Sequence, residues 1–107
     1  MIIDSDVQRI ARWFGVDPGL IQAVVTAEGN ILRAVQCSIP DVTTREEALQ
    51  ITCRSACHAL SDFVNAQDDR KAAFLLFWQQ RWAPVGAPND PRGLNENWAG
   101  NVQRLWS

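Results

Sequence analysis

Apolar residues recur every three or four positions along this chain, and Pro, Gly and Asn interrupt the pattern between segments. This spacing places apolar side chains on one face of a helix, and no segment shows the alternation of a half-buried strand. Val7, Ile10 and Phe14 share one such face. The pattern predicts an all-α fold, and a length of 107 residues predicts a single compact helical domain over residues 1–107.

Capping residues predict where the first helices begin and end. Ser5 has the position of an N-cap, with a glutamine three residues later as its capping-box partner. Asp17 followed by Pro18 predicts the start of a second helix. Glu28 and the glycine that follows it predict the end of that helix.

The second half of the chain carries the same kinds of signal. A capping box at Thr44 predicts a long helix that runs to about residue 66, and a further helix covers about residues 69–82. The proline-rich loop (residues 83–94) contains three Pro and two Gly, so it must be a loop with little backbone freedom. Asn95 is the predicted cap of the last helix.

Net charge and hydropathy exclude several classes of protein. The formal net charge is −2 and the pI is about 5.2, which excludes the strongly basic character of many nucleic-acid-binding proteins. No apolar run approaches the roughly 20 residues that cross a bilayer, so we expect no membrane span. The N-terminus is acidic where a signal peptide is basic. We therefore expect no signal peptide, and export would need another route.

The three cysteines, Cys37, Cys53 and Cys57, predict reduced thiols rather than a disulfide. Cys53 and Cys57 lie four residues apart in one predicted helix, which does not suit disulfide geometry. Together with His58 they contain the donor types of a zinc site, but the paired Cys-x-x-Cys spacing is absent. We expect small, buried, apolar cysteines, no metal site and no cofactor.

Glu28 is the polar residue whose position says most about chemistry. It follows Ile21 and Val24 at intervals of seven and four, so it extends the apolar face of its helix. It also lies at a helix C-terminus, where the macrodipole disfavours negative charge. Both effects favour the protonated acid, which is the form that a general acid needs. The alternative is a glutamate at the edge of that face that reaches water or pairs with Arg33.

Two segments carry a resemblance to the lysozyme-like superfamily. The helix end from Ala23 to Asn30, AVVTAEGN, resembles a shortened version of that superfamily's catalytic glutamate in a Glu-Ser-Gly-x-Asn context. The segment from Phe77 to Val102, which includes RWAPVG, NDP and LNENW, is similar to the closing segment of small phage and prophage lysozyme-like or glucosaminidase-like proteins. Together they cover about half of the chain.

The resemblance implies cleavage of the glycan strands of peptidoglycan, with Glu28 as the general acid. A hydrolase of this kind needs a second carboxylate, whereas a lytic transglycosylase uses a hydroxyl of the substrate and one Glu serves as both acid and base. Asp90 is the first candidate for a second acid because it lies in the proline-rich loop. Glu96, Asp62 and Asp41 are the other candidates, and none of them stands out.

The aromatic residues and amides near the C-terminus suit a sugar-binding surface. Indole rings can stack on the apolar faces of sugars, and amides can bond to hydroxyl and N-acetyl groups. The predicted substrate-binding residues are Trp78, Trp82, Asn89, Asn95, Asn97 and Trp98. The alternative is that the tryptophans belong to the core and the asparagines are caps and turns.

Two departures from the superfamily's pattern keep a second function open. The Ser of Glu-Ser-Gly is missing, and Arg33 to Ser38 stand where many lytic transglycosylases have Gly-Leu-Met-Gln. A non-catalytic phage structural module, which binds glycan or other virion proteins, is therefore the alternative function. Either function fits a location in the virion, or in the host cytoplasm with release to the cell wall.

Overall fold

The computed structural model describes residues 2–65 and 71–106, and every regular element within those residues is helical. The all-α prediction is confirmed, and the described helices pack into one globule. In chain order the elements are α1 (Ser5–Phe14), α2 (Pro18–Glu28), α3 (Ile31–Gln36), α4 (Arg45–Asn65), α5 (Lys71–Trp82), a 3₁₀ turn (Leu94–Asn97) and α6 (Trp98–Leu105). The predicted end of α4 near residue 66 and the predicted start of α5 near residue 69 lie outside the described residues.

Asp4, not Ser5, is the N-cap of α1. Its carboxylate accepts a hydrogen bond of 2.8 Å from the backbone N–H of Asp6, and Ser5 is already the first helical residue. Arg45 at the start of α4 approaches the same carboxylate to 2.8 Å. The prediction that Ser5 caps the helix was wrong, because the carboxylate of Asp4, one residue earlier, accepts the N–H bond of the first turn and also pairs with Arg45.

The boundaries of α2 follow the prediction. The Asp17 carboxylate accepts a hydrogen bond from the N–H of Gly19, Pro18 is the first helical residue, and Gly29 ends the helix with φ +79°. Asn30 then caps α3 at once, since its side-chain oxygen accepts the N–H of Arg33 at 3.1 Å. This tight junction between α2 and α3 places the half-buried Glu28 at the end of a helix rather than in its middle.

The other two predicted caps have different outcomes. The Thr44 hydroxyl accepts a hydrogen bond of 3.2 Å from the N–H of Glu47, as predicted. Asn95 does not cap α6, because the chain first makes the 3₁₀ turn and α6 begins only at Trp98. Asn97 occupies the residue before α6, and its side chain makes no capping hydrogen bond.

Helix α4 is the longest described helix, and α1, α3 and α5 all pack against it. Helix α6 packs against both α2 and α5. The indole N–H of Trp106 donates to the carboxylate of Asp17 at 2.8 Å, which joins the start of α2 to the end of the chain. Within the described residues, no helix combines the length and the apolar content needed to cross a membrane.

The three thiols have different environments. Cys53 is buried in α4, and burial together with the neighbouring Cys57 raises the pKa of its thiol to about 12. Cys57 is half-buried, and its Sγ lies 3.2 Å from the carbonyl oxygen of Phe14. Cys37 is exposed, so the expectation that all three are buried was wrong for this residue. His58 is exposed as well, and the described residues contain no group of three or more His, Cys, Asp or Glu side chains that could hold a metal ion.

Candidate functional site

A cleft of about 360 Å³ opens at the junction of α2 and α3, between α4, the end of α5 and the proline-rich loop. Its volume lies in the range of small-molecule sites. Its lining residues come from five separate parts of the chain: Glu28, Ala34, Val35, Cys37, Ser38, Ile39, Ile51, Ser55, Arg81, Trp82, Ala83, Asn89 and Asn95.

Glu28 reaches the cleft from the last residue of α2, and a tryptophan holds it in place. Its Oε1 accepts a hydrogen bond of 2.8 Å from the indole Nε1 of Trp98, the first residue of α6. Trp98 is only 6% exposed and does not line the cleft. A carboxylate can accept about four hydrogen bonds. This one contact therefore orients Glu28 and leaves acceptor capacity for a ligand.

Trp78 supports the cleft from inside the core. Its ring has 0% exposed surface, so the prediction that it stacks on a substrate was wrong. The ring meets Trp98 edge to face at 5.5 Å between centroids and packs against Trp82 at 5.8 Å. Its indole N–H donates to the hydroxyl of Ser55 at 2.8 Å. Trp78 thus supports Ser55 and Trp82, which line the cleft, and Trp98, which holds Glu28.

Trp82 is the predicted tryptophan that does line the cleft. It is half-buried at the end of α5, so part of its ring is available to a ligand. Trp98 was predicted to contact substrate in the same way, but it is buried behind Glu28. The sequence pattern could not separate these two residues, because each has apolar neighbours at helical spacing.

Asp90 organises the proline-rich loop instead of entering the cleft. Its side chain is buried, with 7% of the residue exposed. One oxygen accepts the N–H of Leu94 at 2.9 Å, and the other accepts the N–H groups of Asn95 at 3.0 Å and Gly86 at 3.2 Å. Burial by itself would raise the pKa of Asp90, but these backbone donors outweigh burial and hold its pKa below the usual value. The prediction of Asp90 as a second catalytic acid is therefore corrected to a structural role.

None of the remaining candidate acids lines the cleft. Glu96 and Asp41 are exposed, and neither lines the cleft. Asp62 lies beside it, because its carboxylate pairs with Arg81 at 2.6 Å. Among the described residues that line the cleft, Glu28 is the single carboxylate.

Two of the three predicted asparagines line the cleft. The Asn89 amide nitrogen lies 3.5 Å from the hydroxyl of Ser38, so the proline-rich loop approaches the segment that follows α3. The side-chain amide of Asn95 donates to the carbonyl oxygen of Pro84 at 3.3 Å, and the backbone carbonyl oxygen of Asn95 accepts a hydrogen bond from the side-chain amide of Gln79. Asn97 is exposed outside the lining.

Sequence reasoning missed Arg81 and Ser55. Ser55 could have been found, because it lies four residues after Ile51 and four before Ala59, and so shares a helix face with apolar residues. Arg81 carries no such signal, since an arginine in the last turn of a helix is ordinary.

No protein-family model, no curated protein and no solved structure matches this chain. The resemblance to the lysozyme-like superfamily therefore stays a prediction, and the geometry of the cleft carries the functional argument.

Proposed function

We propose that this chain cleaves the glycan strands of peptidoglycan, with Glu28 as general acid and base. The observation that carries the proposal is the position of Glu28. It is the single carboxylate among the described residues that line the cleft, and the indole of Trp98 orients it. General acid catalysis requires a carboxyl group that is held in place at a binding surface, and this arrangement supplies one.

The chemistry of the lining supports a glycan as the ligand. Trp82 provides an aromatic surface on which the apolar face of a sugar ring can stack. Asn89 and Asn95 bring amides, and Ser38 and Ser55 bring hydroxyls, which can bond to sugar hydroxyl and N-acetyl groups. This mixture of one aromatic wall and several neutral polar groups suits a carbohydrate better than a wholly apolar ligand.

The single carboxylate favours the lytic transglycosylase route. In that reaction Glu28 gives its proton to the glycosidic oxygen as the bond from this oxygen to the anomeric carbon of N-acetylmuramic acid breaks. A hydroxyl of the same muramic acid then attacks the anomeric carbon and returns a proton to Glu28. The product is an anhydro sugar, and the acid is regenerated without a second carboxylate. A hydrolase would need that second group within about 5–9.5 Å.

The second candidate function is a non-catalytic module that binds glycan, or a protein of a phage virion. The hydrogen bond from Trp98 to Glu28 favours it, because a glutamate tied to a buried indole can also serve only to join α2 to α6. In that case Glu28 would contribute to stability and not to turnover.

The experiment that separates the two functions is turnover of purified peptidoglycan by the parent protein and by Glu28→Gln. Glutamine keeps an oxygen that can accept the indole hydrogen bond, but it has no acidic proton to donate. We expect Glu28→Gln to stay folded and to cleave peptidoglycan about 10²-fold to 10⁴-fold more slowly than the parent. Mass spectrometry of the products identifies the reaction, since anhydro ends indicate a transglycosylase and reducing ends indicate a hydrolase.

Glu47→Gln is the matched control, because Glu47 is an exposed glutamate in the first turn of α4 and does not line the cleft. It should retain the activity of the parent. If the parent makes no products where a control lysozyme does, the catalytic proposal fails. Binding of the glycan by both the parent and Glu28→Gln would then support the binding module.

A further inference from the structure

Arg81 is the single cation among the described residues that line the cleft. It lies in the last turn of α5, next to Trp82, and Glu28 is the other charged residue of the lining. The cleft therefore presents one carboxylate and one guanidinium to a ligand, and every other lining residue is neutral. A catalytic carboxylate accounts for Glu28, but nothing in the cleavage step requires Arg81.

Two contacts hold the Arg81 guanidinium in position. Its Nη1 donates to the Asp62 carboxylate at 2.6 Å, and its central carbon lies 4.6 Å from the centre of the Phe77 ring. A guanidinium has five N–H donors in a planar fork, so one bond to Asp62 leaves others available. Arginine that is held in this way is suited to bind a further carboxylate.

The bond to Asp62 does not prevent a second anion from binding. The side chains of Arg81 and Asp62 are 45% and 50% exposed, and ion pairs that exposed contribute little, because water screens them. A ligand carboxylate that approaches from the cleft can therefore share the guanidinium with Asp62 or replace it.

We infer that Arg81 makes the cleft selective for glycans that carry a carboxylate over neutral glycans of the same length. The inference rests on the proposed function, and it names the substrate class within it. Two groups of peptidoglycan have this chemistry. They are the lactyl carboxylate of muramic acid in strands without peptide, and the carboxylates of the stem peptide in strands where that lactyl group is an amide.

The test measures binding by calorimetry with the Glu28→Gln protein, so that no probe is cleaved. Three tetrasaccharides serve as probes: a neutral oligomer of N-acetylglucosamine, a peptide-free oligomer of alternating N-acetylglucosamine and N-acetylmuramic acid, and the same oligomer with stem peptides. We expect at least one acidic probe to bind about tenfold more tightly than the neutral one. Adding Arg81→Gln should remove that difference, so that the acidic and neutral probes bind with similar affinity.

Two further variants control for charge and for geometry. Arg104→Gln removes one positive charge from an exposed residue of α6 that does not line the cleft, and it should keep the selectivity. Arg81→Lys keeps the charge but loses the planar fork, so its selectivity should fall between those of the parent and Arg81→Gln. Circular dichroism of each variant confirms that it is folded.

The outcomes separate this inference from the function on which it rests. Equal affinity for acidic and neutral probes, or selectivity that survives Arg81→Gln, overturns the role of Arg81 and leaves the cleavage proposal standing. Failure of all three probes to bind overturns both. A preference for the peptide-free oligomer alone assigns the lactyl carboxylate as the partner, and a preference for the peptide-bearing oligomer alone assigns the stem peptide.

Discussion

At the scale of single residues, the hydrogen bond between Glu28 and Trp98 is the contact on which the site depends. It joins residues that lie 70 positions apart, and both are at helix ends, where side-chain direction is sensitive to backbone geometry. Trp98 is buried and does not line the cleft, so it would not itself touch a ligand bound there. Under the proposed function, Trp98 is therefore a positioning residue and Trp82 is a contact residue.

Replacing Trp98 with Phe should lower kcat and leave KM nearly unchanged. The ring remains in the core, but the donor that orients Glu28 is lost, and misplacement of a reacting group by about 1 Å can cost about a hundredfold in rate. The measurement is the dependence of the peptidoglycan cleavage rate on substrate concentration. A rise in KM with kcat unchanged would contradict the positioning role.

Trp82→Phe is the matched comparison for that experiment. It is the same substitution, applied to a tryptophan that lines the cleft. We expect it mainly to raise KM, because it reduces the surface on which a sugar ring can stack. Trp98→Phe should therefore change mainly kcat, and Trp82→Phe should change mainly KM.

At the scale of elements, the proline-rich loop is an ordered part of the site because Asp90 binds it together. Its carboxylate accepts hydrogen bonds from three backbone N–H groups, one before Asp90 in the sequence and two after it. Asn89 of the loop and Asn95, the residue that follows the loop, both line the cleft. The loop thus has a fixed shape even though it contains no long helix.

Asp90→Asn should lower the midpoint of thermal unfolding at pH 7. The three backbone N–H groups that now donate to a charged carboxylate would have only a neutral amide oxygen to bond to. The Asp90 pKa is held below its ordinary value of 3.8, so its contribution is fully present above pH 3.8 and is lost as the pH falls through the lowered pKa. The difference between the parent and Asp90→Asn should therefore narrow as the pH falls from about 4 towards 2.

Circular dichroism melts between pH 7 and pH 2 measure that difference. Asp41→Asn is the control, because Asp41 is exposed and does not line the cleft. Its midpoint of thermal unfolding should equal that of the parent at each pH. A constant gap between the parent and Asp90→Asn across this range would show that the carboxylate charge does not stabilise the loop.

At the scale of the whole molecule, α4 is the helix against which three other helices pack. Helices α1, α3 and α5 pack against it, and its Ser55 connects to the cluster of Trp78, Trp82 and Trp98. Cys53 lies in the same helix with no exposed surface. Access to the Cys53 thiol therefore reports on opening of the core itself.

In a Cys37→Ala, Cys57→Ala variant, the remaining thiol of Cys53 should react with a disulfide reagent only when the core opens. Burial and the raised pKa both oppose formation of the reactive thiolate. We expect labelling in native buffer about 10³-fold slower than in denaturant, or slower still. The comparison variant keeps Cys37 alone and should react quickly, because that residue is exposed. Rapid labelling of Cys53 in native buffer would mean that α4 opens without global unfolding.

Local sequence signals predicted the elements well wherever one residue and its near neighbours determine the outcome. Asp17 and Pro18 start α2, and Gly29 ends it, because capping and φ preferences act within one turn. The same local logic failed at Asn95, where a 3₁₀ turn comes before α6. It failed at Ser5 as well, where the preceding Asp4 also pairs with Arg45 from another helix.

The sequence by itself determined the helical class, most of the described helix boundaries and the position of Glu28 at the end of α2, since periodicity and capping are properties of neighbouring residues. Only the tertiary structure decided which tryptophan is core, which positions Glu28 and which lines the cleft, because a helical stripe does not show what packs against it. The same holds for Asp90 and Arg81. The partners of a charged side chain lie on other elements, so its role is settled only when those elements meet.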